Sequence, residues 1–320
     1  MSQDVAIGID IGGTFIKSAL VSRKGEILSR KNVATFSGDK SFLFNIISII
    51  SFLSKQLTAK QSLIGIGIGA PGNINRKKGT IEGGAYNLKN VENISLVNEI
   101  RKDFPYPVYV DNDATNACKG EYLFGAGNGY EHLVTLTLGT GIGGGIILDC
   151  KVFHGISDYA GEIGHMTIIP NGMLCSCGNY GCLEAYASTT AMITLAKQSI
   201  KRKINSRLLE IPLEEINGEV ICRFANEGDA VCCNILKKIA YYIAIAVSNI
   251  INMLNIPLVL IGGGISEAGD ILFIPINVIA KDLVLPRLRD TFEVKKALLG
   301  NDAGVIGSAS TVFMEGKSNF

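Results

Sequence analysis

The chain has 320 residues, 47% hydrophobic and 18% charged, with a net charge of +1. That length suits two domains with sizeable cores, and near-neutral charge without a long basic run speaks against a nucleic-acid partner. The N-terminus carries an acidic residue and no apolar core ending in small residues, so no secretion signal is read and a cytoplasmic location is expected. Eight cysteines in such a chain are expected as reduced thiols, so any cluster favours metal over disulfide.

In chain order, residues 5–11 form an apolar run ending at Gly12-Gly13, a strand and tight turn. Strands are expected over 15–21 and 26–32, separated by Arg23-Lys-Gly25. Phe42, Leu43, Ile46, Ile47, Ile50 and Leu53 recur at helical spacing, which predicts a helix over about 40–57. Residues 63–68 read as a buried strand ending in Gly69-Ala-Pro71-Gly72, and 108–110 as another, feeding Asp111-Asn112-Asp113 and a helix from about Ala114. A second block repeats the plan: strand 133–138, a turn at Gly139-Thr140-Gly141 continuing through Gly143-Gly144-Gly145, and a returning strand over 146–152. Helices are expected near 189–203, 231–254 and 303–315.

Residues 239–265 carry no charge and are long enough to span a bilayer. Asn249, Asn252, Asn255, Pro257 and three glycines break the run. A buried helix, a turn at 255–257 and a buried strand over 258–261 are expected instead, with no membrane partner. The repeated plan implies an α/β protein of two similar lobes around a central cleft. The division is drawn as 1–117 plus 303–320 for the smaller lobe and 118–302 for the larger.

The glycine turns carry the first chemistry. In Asp10-Ile-Gly12-Gly13-Thr14-Phe-Ile-Lys17, glycines let backbone N–H groups approach phosphate oxygens, the Thr14 hydroxyl adds a donor, and Asp10 suits a water-mediated Mg²⁺. Gly139-Thr140-Gly141-Ile-Gly143-Gly144 repeats this, and Gly262-Gly263-Gly264 after a buried strand permits close approach of a flat adenine or ribose. Each loop alone is equally a tight turn; three at strand ends point to a nucleotide.

Phosphoryl transfer requires positioning, charge neutralisation and a proton acceptor. Asp111-Asn112-Asp113 stands where a strand meets a helix, so its short polar side chains are either helix caps or a general base with sugar contacts. Glu162 and Glu184 are further acceptors for paired hydroxyls. His165 precedes Cys175-Ser-Cys177-Gly-Asn-Tyr-Gly-Cys182. Three thiolates and one imidazole match the tetrahedral set of structural zinc, and the second ring nitrogen of His165 stays available for substrate.

Together these residues resemble the ROK family of sugar kinases over nearly the whole chain. The resemblance rests on the Asp10–Lys17 loop, Gly69-Ala-Pro71-Gly72, Asn112-Asp113, the Gly139–Gly144 loop, Glu162-Ile-Gly-His165, the cysteine cluster with Leu183-Glu184, and Gly262-Gly263-Gly264. It implies an actin-like ATPase (ribonuclease H-like) fold with ATP and Mg²⁺. It implies Asp113 as base, with Gly72, Asn87, Asn112, Glu162, His165 and Glu184 at the sugar. Asp10, Gly12, Gly13, Thr14, Lys17, Gly139, Thr140, Gly141, Gly143, Gly263 and Gly264 fall to ATP, and His165, Cys175, Cys177 and Cys182 to Zn²⁺. Two departures stand out: Thr115 where the family commonly has Asn, and Tyr86-Asn87-Leu88 in place of Pro-Asn-Leu, without the Trp that often follows.

The expected reaction is phosphorylation of a hexose, glucose first, with N-acetylmannosamine, N-acetylglucosamine and fructose as alternatives, by a homo-oligomer (dimer or tetramer). A sugar-sensing repressor of the same family would carry an added helix-turn-helix, for which nine residues before the first loop are expected to leave no room. An actin-like ATPase that modifies no sugar fits poorly with Glu162, Glu184 and the cysteine cluster.

Overall fold

The computed structural model describes residues 2–36, 42–85, 88 and 94–315; Tyr86 and Asn87, one of the expected sugar contacts, lie outside the described residues. The chain forms two compact units. Unit 1 takes Met1–Gly129, Gly145–Gly161 and Leu299–Phe320, and unit 2 takes Tyr130–Gly144 and Glu162–Leu298.

The apolar runs of unit 1 become β1 (Gln3–Ile11), β2 (Phe15–Ser22), β3 (Ile27–Arg30) and β4 (Val33–Ala34). Helix α1 (Phe42–Ser54) buries Phe42, Ile46, Ile49, Ile50 and Leu53 on one stripe. Then follow β5 (Gln61–Ala70), the small hairpin β6 (Asn73–Asn75) with β7 (Thr80–Gly83), α2 (Leu96–Arg101), β8 (Val108–Asn112) and α3 (Asp113–Phe124). The sheet runs β3-β2-β1-β5-β8, with β4 on β2. Strand β1 is antiparallel to β2 and parallel to β5, which is parallel to β8.

The second block opens with β9 (Leu133–Leu138), β10 (Ile142–Leu148) and β11 (Lys151–Val152). It continues with α4 (Leu183–Ala187), α5 (Thr189–Lys201), α6 (Gly218–Asn226), α7 (Ala230–Leu254), β12 (Leu258–Gly262), α8 (Asp270–Leu283) and β13 (Glu293–Lys296). The chain closes with α9 (Ala303–Glu315). This sheet runs β11-β10-β9-β12-β13, the same connectivity as the first: a hairpin and then strands added on the other side of the opening strand.

Three sequence expectations change. The returning strand begins at Ile142, not 146, because the glycines over 143–145 are extended strand. It ends at Leu148, where Asp149 and Cys150 turn with φ of 50° and 61° before β11. The boundary drawn at residue 117 would cut α3, which packs on α9 and stays in unit 1 to its end, as does Gly145–Gly161. Helix α7 is long and apolar enough to cross a membrane, but Ile239, Ile243, Val247 and Ile250 are buried and it packs on α4, α5, α6 and α8. Asn255 ends it in a left-handed conformation (φ 49°), so the expected turn stands there.

Helix α9 lies directly on β1 and β5 because small residues line both surfaces. A Cβ on Gly67 would overlap the Ser308 carbonyl. Between α3 and α9 runs a buried polar seam. Lys119, 2% exposed, spends its three ammonium hydrogens on Asp111 Oδ2 at 2.5 Å, Asn116 Oδ1 at 3.0 Å and Thr311 Oγ1 at 2.9 Å. Lys119→Met takes the fully buried cation from the Asp111 carboxylate, leaving it Arg76 and His154, and is expected to cost about 3 kcal/mol, read as a lower urea midpoint at unchanged slope. A loss below about 1 kcal/mol would show that Asp111 does not need this partner.

Candidate active site

Unit 1 sets its acidic residues in a row by strand register. Asp10 pairs with Gly69 of β5, and Gly69 with Asp111 of β8. Across the hairpin Asp10 also pairs with Lys17. A Cβ on Gly304 would sit 2.7 Å from the Asp10 carboxylate, so the first turn of α9 abuts it. Burial raises the Asp10 pKa to about 7, the like charge of Asp113 adds to this, and Lys17 opposes both.

Geometry identifies which side chain caps the start of α3. Asn112 caps the helix: its Oδ1 accepts the Thr115 N–H at 3.0 Å, and its Nδ2 donates to the Gly72 carbonyl at 3.4 Å. Asp113 is the first helical residue, its Oδ1 accepting the neighbouring Ala114 N–H at 2.8 Å. Burial pushes Asp113 up, against the lowering bonds from the backbone and Asn112. Asp111 is the contrast. Burial would raise it, but Lys119, His154 and Arg76 hold it well below the usual carboxylate range. Thus Asp10, Gly12, Gly72, Asn112 and Asp113 share one end of the unit 1 sheet and its flanking helices. Gly13 and Thr14 lie exposed at the hairpin tip and Lys17 is partly buried.

In unit 2 the Gly139-Thr140-Gly141 turn closes through Gly139 N–H to the Gly141 carbonyl at 2.9 Å. The Thr189 N–H donates to the Gly139 carbonyl at 2.9 Å, and the Thr190 hydroxyl to the Thr140 carbonyl at 2.8 Å. Gly143 lies within β10 rather than in this loop. Strands β9 and β12 are parallel, with Gly262 beside Thr137. Gly263 (φ 87°) packs so closely on the Leu138 carbonyl that a Cβ would overlap it, while Gly264 faces open space. The two glycine turns therefore sit side by side at the carboxyl ends of parallel strands, where α/β sheets bind ligands.

The same unit holds the cysteine knuckle. The Cys175 N–H donates to the Asn179 carbonyl at 2.8 Å, and Gly178 (φ 90°) reverses the chain between them. His165, Cys175, Cys177 and Cys182 bring one ligand atom each to within 4.8 Å of one another. His165 Nδ1 is 3.7 Å from Cys175 Sγ, and Cys177 Sγ is 3.7 Å from Cys182 Sγ. Tetrahedral zinc with thiolates at about 2.3 Å sets its ligand atoms about 3.7 Å apart, so the donor set fits the metal. Burial and the neighbouring sulfurs push Cys182 up to about 12. Burial also raises Cys177, but the Asn179 backbone and the other thiols outweigh it and hold Cys177 low. Sulfurs this close cannot all be thiolates without a cation among them.

His165 directs Nδ1 at the sulfurs and leaves Nε2 3.8 Å from Glu162 Oε2, so Glu162 and His165 stand together. Glu184 joins the two parts of the unit: Oε2 accepts the Ile142 N–H at 2.9 Å and Oε1 the Ser176 hydroxyl at 2.9 Å. That bridge, and the Arg76–Asp111–His154 cluster of unit 1, have no sequence signature, since each joins residues far apart in the chain.

Two sheets of one connectivity, glycine turns at strand ends and a pair of repelling carboxylates define an α/β protein of the actin-like ATPase class. The chain belongs to the ROK family, matched over residues 6–314. It is 38% identical to a glucokinase of Halalkalibacterium halodurans, over 99% of this chain and 98% of that one. A ROK family glucokinase from Streptomyces griseus, solved with glucose and AMPPNP, superposes with a TM-score of 0.86 at 32% identity, covering 97% of this chain and 99% of that one. A ROK family transcriptional regulator, homolog of the E. coli MLC protein, gives 0.88 at 28% identity, covering 98% of this chain but 78% of the regulator.

Proposed function

We propose that this chain transfers the γ-phosphoryl group of ATP to glucose, at its 6-hydroxyl. It is an ATP-dependent sugar kinase of the ROK family, with glucokinases among its relatives over nearly full length. The observation that carries the residue assignment is the division of labour at α3: Asn112 takes the cap and leaves Asp113 a half-buried carboxylate whose pKa burial raises. Asp113 accepts the hydroxyl proton as the new O–P bond forms and the bond to the β–γ bridging oxygen breaks, releasing ADP.

Asn112, Glu162, His165 and Glu184 are assigned to the sugar hydroxyls, as are Gly72 and Asn87. The Asp10–Lys17 hairpin and the Gly139–Gly141 turn are assigned to the phosphates, and Gly263-Gly264 to the nucleoside, with Gly143 as support from β10. Asp10 would hold Mg²⁺ through water, which supplies charge neutralisation at the phosphates. His165 Nδ1, Cys175, Cys177 and Cys182 would hold Zn²⁺, which supplies rigidity to the loop carrying Glu162 and Glu184. The reading places the protein in the cytoplasm as a homo-oligomer (dimer or tetramer), with no membrane or nucleic-acid partner.

Thr115 and the Tyr86-Asn87-Leu88 segment keep N-acetylmannosamine, N-acetylglucosamine and fructose as alternative acceptors, and the likeness to a regulator keeps sugar sensing without turnover as another. A coupled ADP-release assay over the four sugars separates them. Glucose is expected to give the highest kcat/KM. A tenfold preference for an N-acetylhexosamine or fructose would replace glucose, and tight glucose binding without ADP release would favour the sensor.

A further inference from the structure

Three separated segments of unit 1 converge on the carboxylate that immediately precedes Asn112-Asp113. Asp111 is 1% exposed. Its Oδ2 receives Lys119 Nζ from α3 at 2.5 Å, His154 Nε2 at 2.9 Å and Arg76 Nε at 3.3 Å. Arg76 stands in the turn between β6 and β7, and His154 follows β11. Arg76 also donates through Nη1 to His154 Nδ1 at 3.3 Å and through Nη2 to Glu315 Oε1 at 2.6 Å, and Nη1 lies 3.9 Å from Asp158 Oδ1.

The chemistry fixes the histidine tautomer. Arginine only donates, so Nδ1 accepts, and Nε2 carries the hydrogen given to Asp111. Each group therefore has a defined direction, and none is interchangeable with a simple charge. The guanidinium ties the β6–β7 turn, the end of α9 and residues 154–158 into one frame. Two bonds lead from that frame towards the proposed base. The Asn112 N–H donates to Asp111 Oδ1 at 2.9 Å, and Asn112 Nδ2 reaches the carbonyl of Gly72, just before β6. Lys119 alone covers much of the Asp111 charge, so neutralisation does not account for two further donors whose own partners are set so specifically.

We propose that Arg76 and His154 are positioning residues: acting through Asp111 and Asn112, they fix the strand end that presents Asp113. This rests on Asp113 being the base. A displacement of about 1 Å at a reacting group costs on the order of 10²-fold in rate, whereas substrate held elsewhere is little affected.

The test is a double-mutant cycle on the full-length protein, following glucose phosphorylation, ATP affinity and thermal midpoint. His154→Leu and Arg76→Met are each expected to lower kcat at least tenfold with ATP affinity within threefold. His154→Gln, which restores an N–H donor towards Asp111, is expected to recover most of the loss. In an Asp113→Asn background, where a displaced base costs nothing, His154→Leu is expected to cause no further fall in residual turnover. Equal loss in both backgrounds, or unchanged kcat in both single variants, overturns the proposal. Should the leucine variant not fold, Arg76→Lys carries the same test with the same outcomes, since it keeps a charge but cannot bridge His154 and Glu315 together. Near-normal turnover of Asp113→Asn alone would instead remove the base assignment.

Discussion

Asp113→Asn is expected to lower kcat for glucose phosphorylation by about 10²–10⁴-fold, the range a positioned general base contributes. The glucose dissociation constant, measured calorimetrically, is expected to change only severalfold. Asparagine keeps the size and the backbone bond from Ala114, and the α3 cap belongs to Asn112, so the helix start should survive. Its amide cannot take a proton. Burial holds the Asp113 pKa above the ordinary carboxylate value, so wild-type kcat/KM should fall as pH drops through that raised value, and the variant should lose that limb. Stability runs the other way. A carboxyl whose folded pKa is raised binds its proton more tightly folded than unfolded, so it costs stability as pH rises through the folded value. Above that pH Asp113→Asn should be at least as stable as wild type. A variant turning over within threefold of wild type would remove Asp113 from the base role.

The same residues explain how far the sequence could be read. Elements with a strong local pattern announced themselves: β1 and β2 around Gly12-Gly13, the stripe of α1, and α9 over its full length, although its partners β1, β5 and α3 lie far off in the chain. Helix α8 was not foreseen because Pro275 interrupts its pattern five residues in, a position its packing on α7 tolerates. The strand limits around Gly143–Gly145 were missed for a physical reason. Glycine triplets read as turns, yet a Cβ at Gly145 would press against Cys118, so close packing demands glycine within an extended strand there. At the site, residue types and motif spacing pointed to the carboxylates and to the His165, Cys175, Cys177 and Cys182 cluster. They could not give the choice between Asn112 and Asp113 as cap, because either side chain suits it. Nor could they find Arg76 with Glu315, which is 239 positions away.

The second large effect is expected at the knuckle. Purified protein should carry one zinc per chain by elemental analysis. Its removal should raise the glucose dissociation constant about 10–100-fold, the range for losing a group that orients others at a metal site. The argument is one of what remains when the cation goes. His165, Cys175, Cys177 and Cys182 sit on short turns closed by isolated backbone bonds and single bridges rather than a continuous ladder, and Leu174, Ser176 and Tyr180 around them are exposed. Without zinc the sulfurs repel or take up protons, and little apolar burial replaces the lost bonds. Loosening the knuckle frees the Ser176 hydroxyl from Glu184 and lets the His165 ring turn away from Glu162. Three proposed sugar contacts then lose their common support. The Asp10–Lys17 hairpin, in unit 1, is built on β1 and β2 and owes nothing to the metal. ATP affinity should therefore fall much less than glucose affinity, and proteolysis should begin within residues 165–184. Cys175→Ser should reproduce both effects without a chelator. Verified metal-free protein that keeps full glucose affinity and its thermal midpoint would show that the knuckle holds its shape through its own bonds, and the zinc assignment would fall.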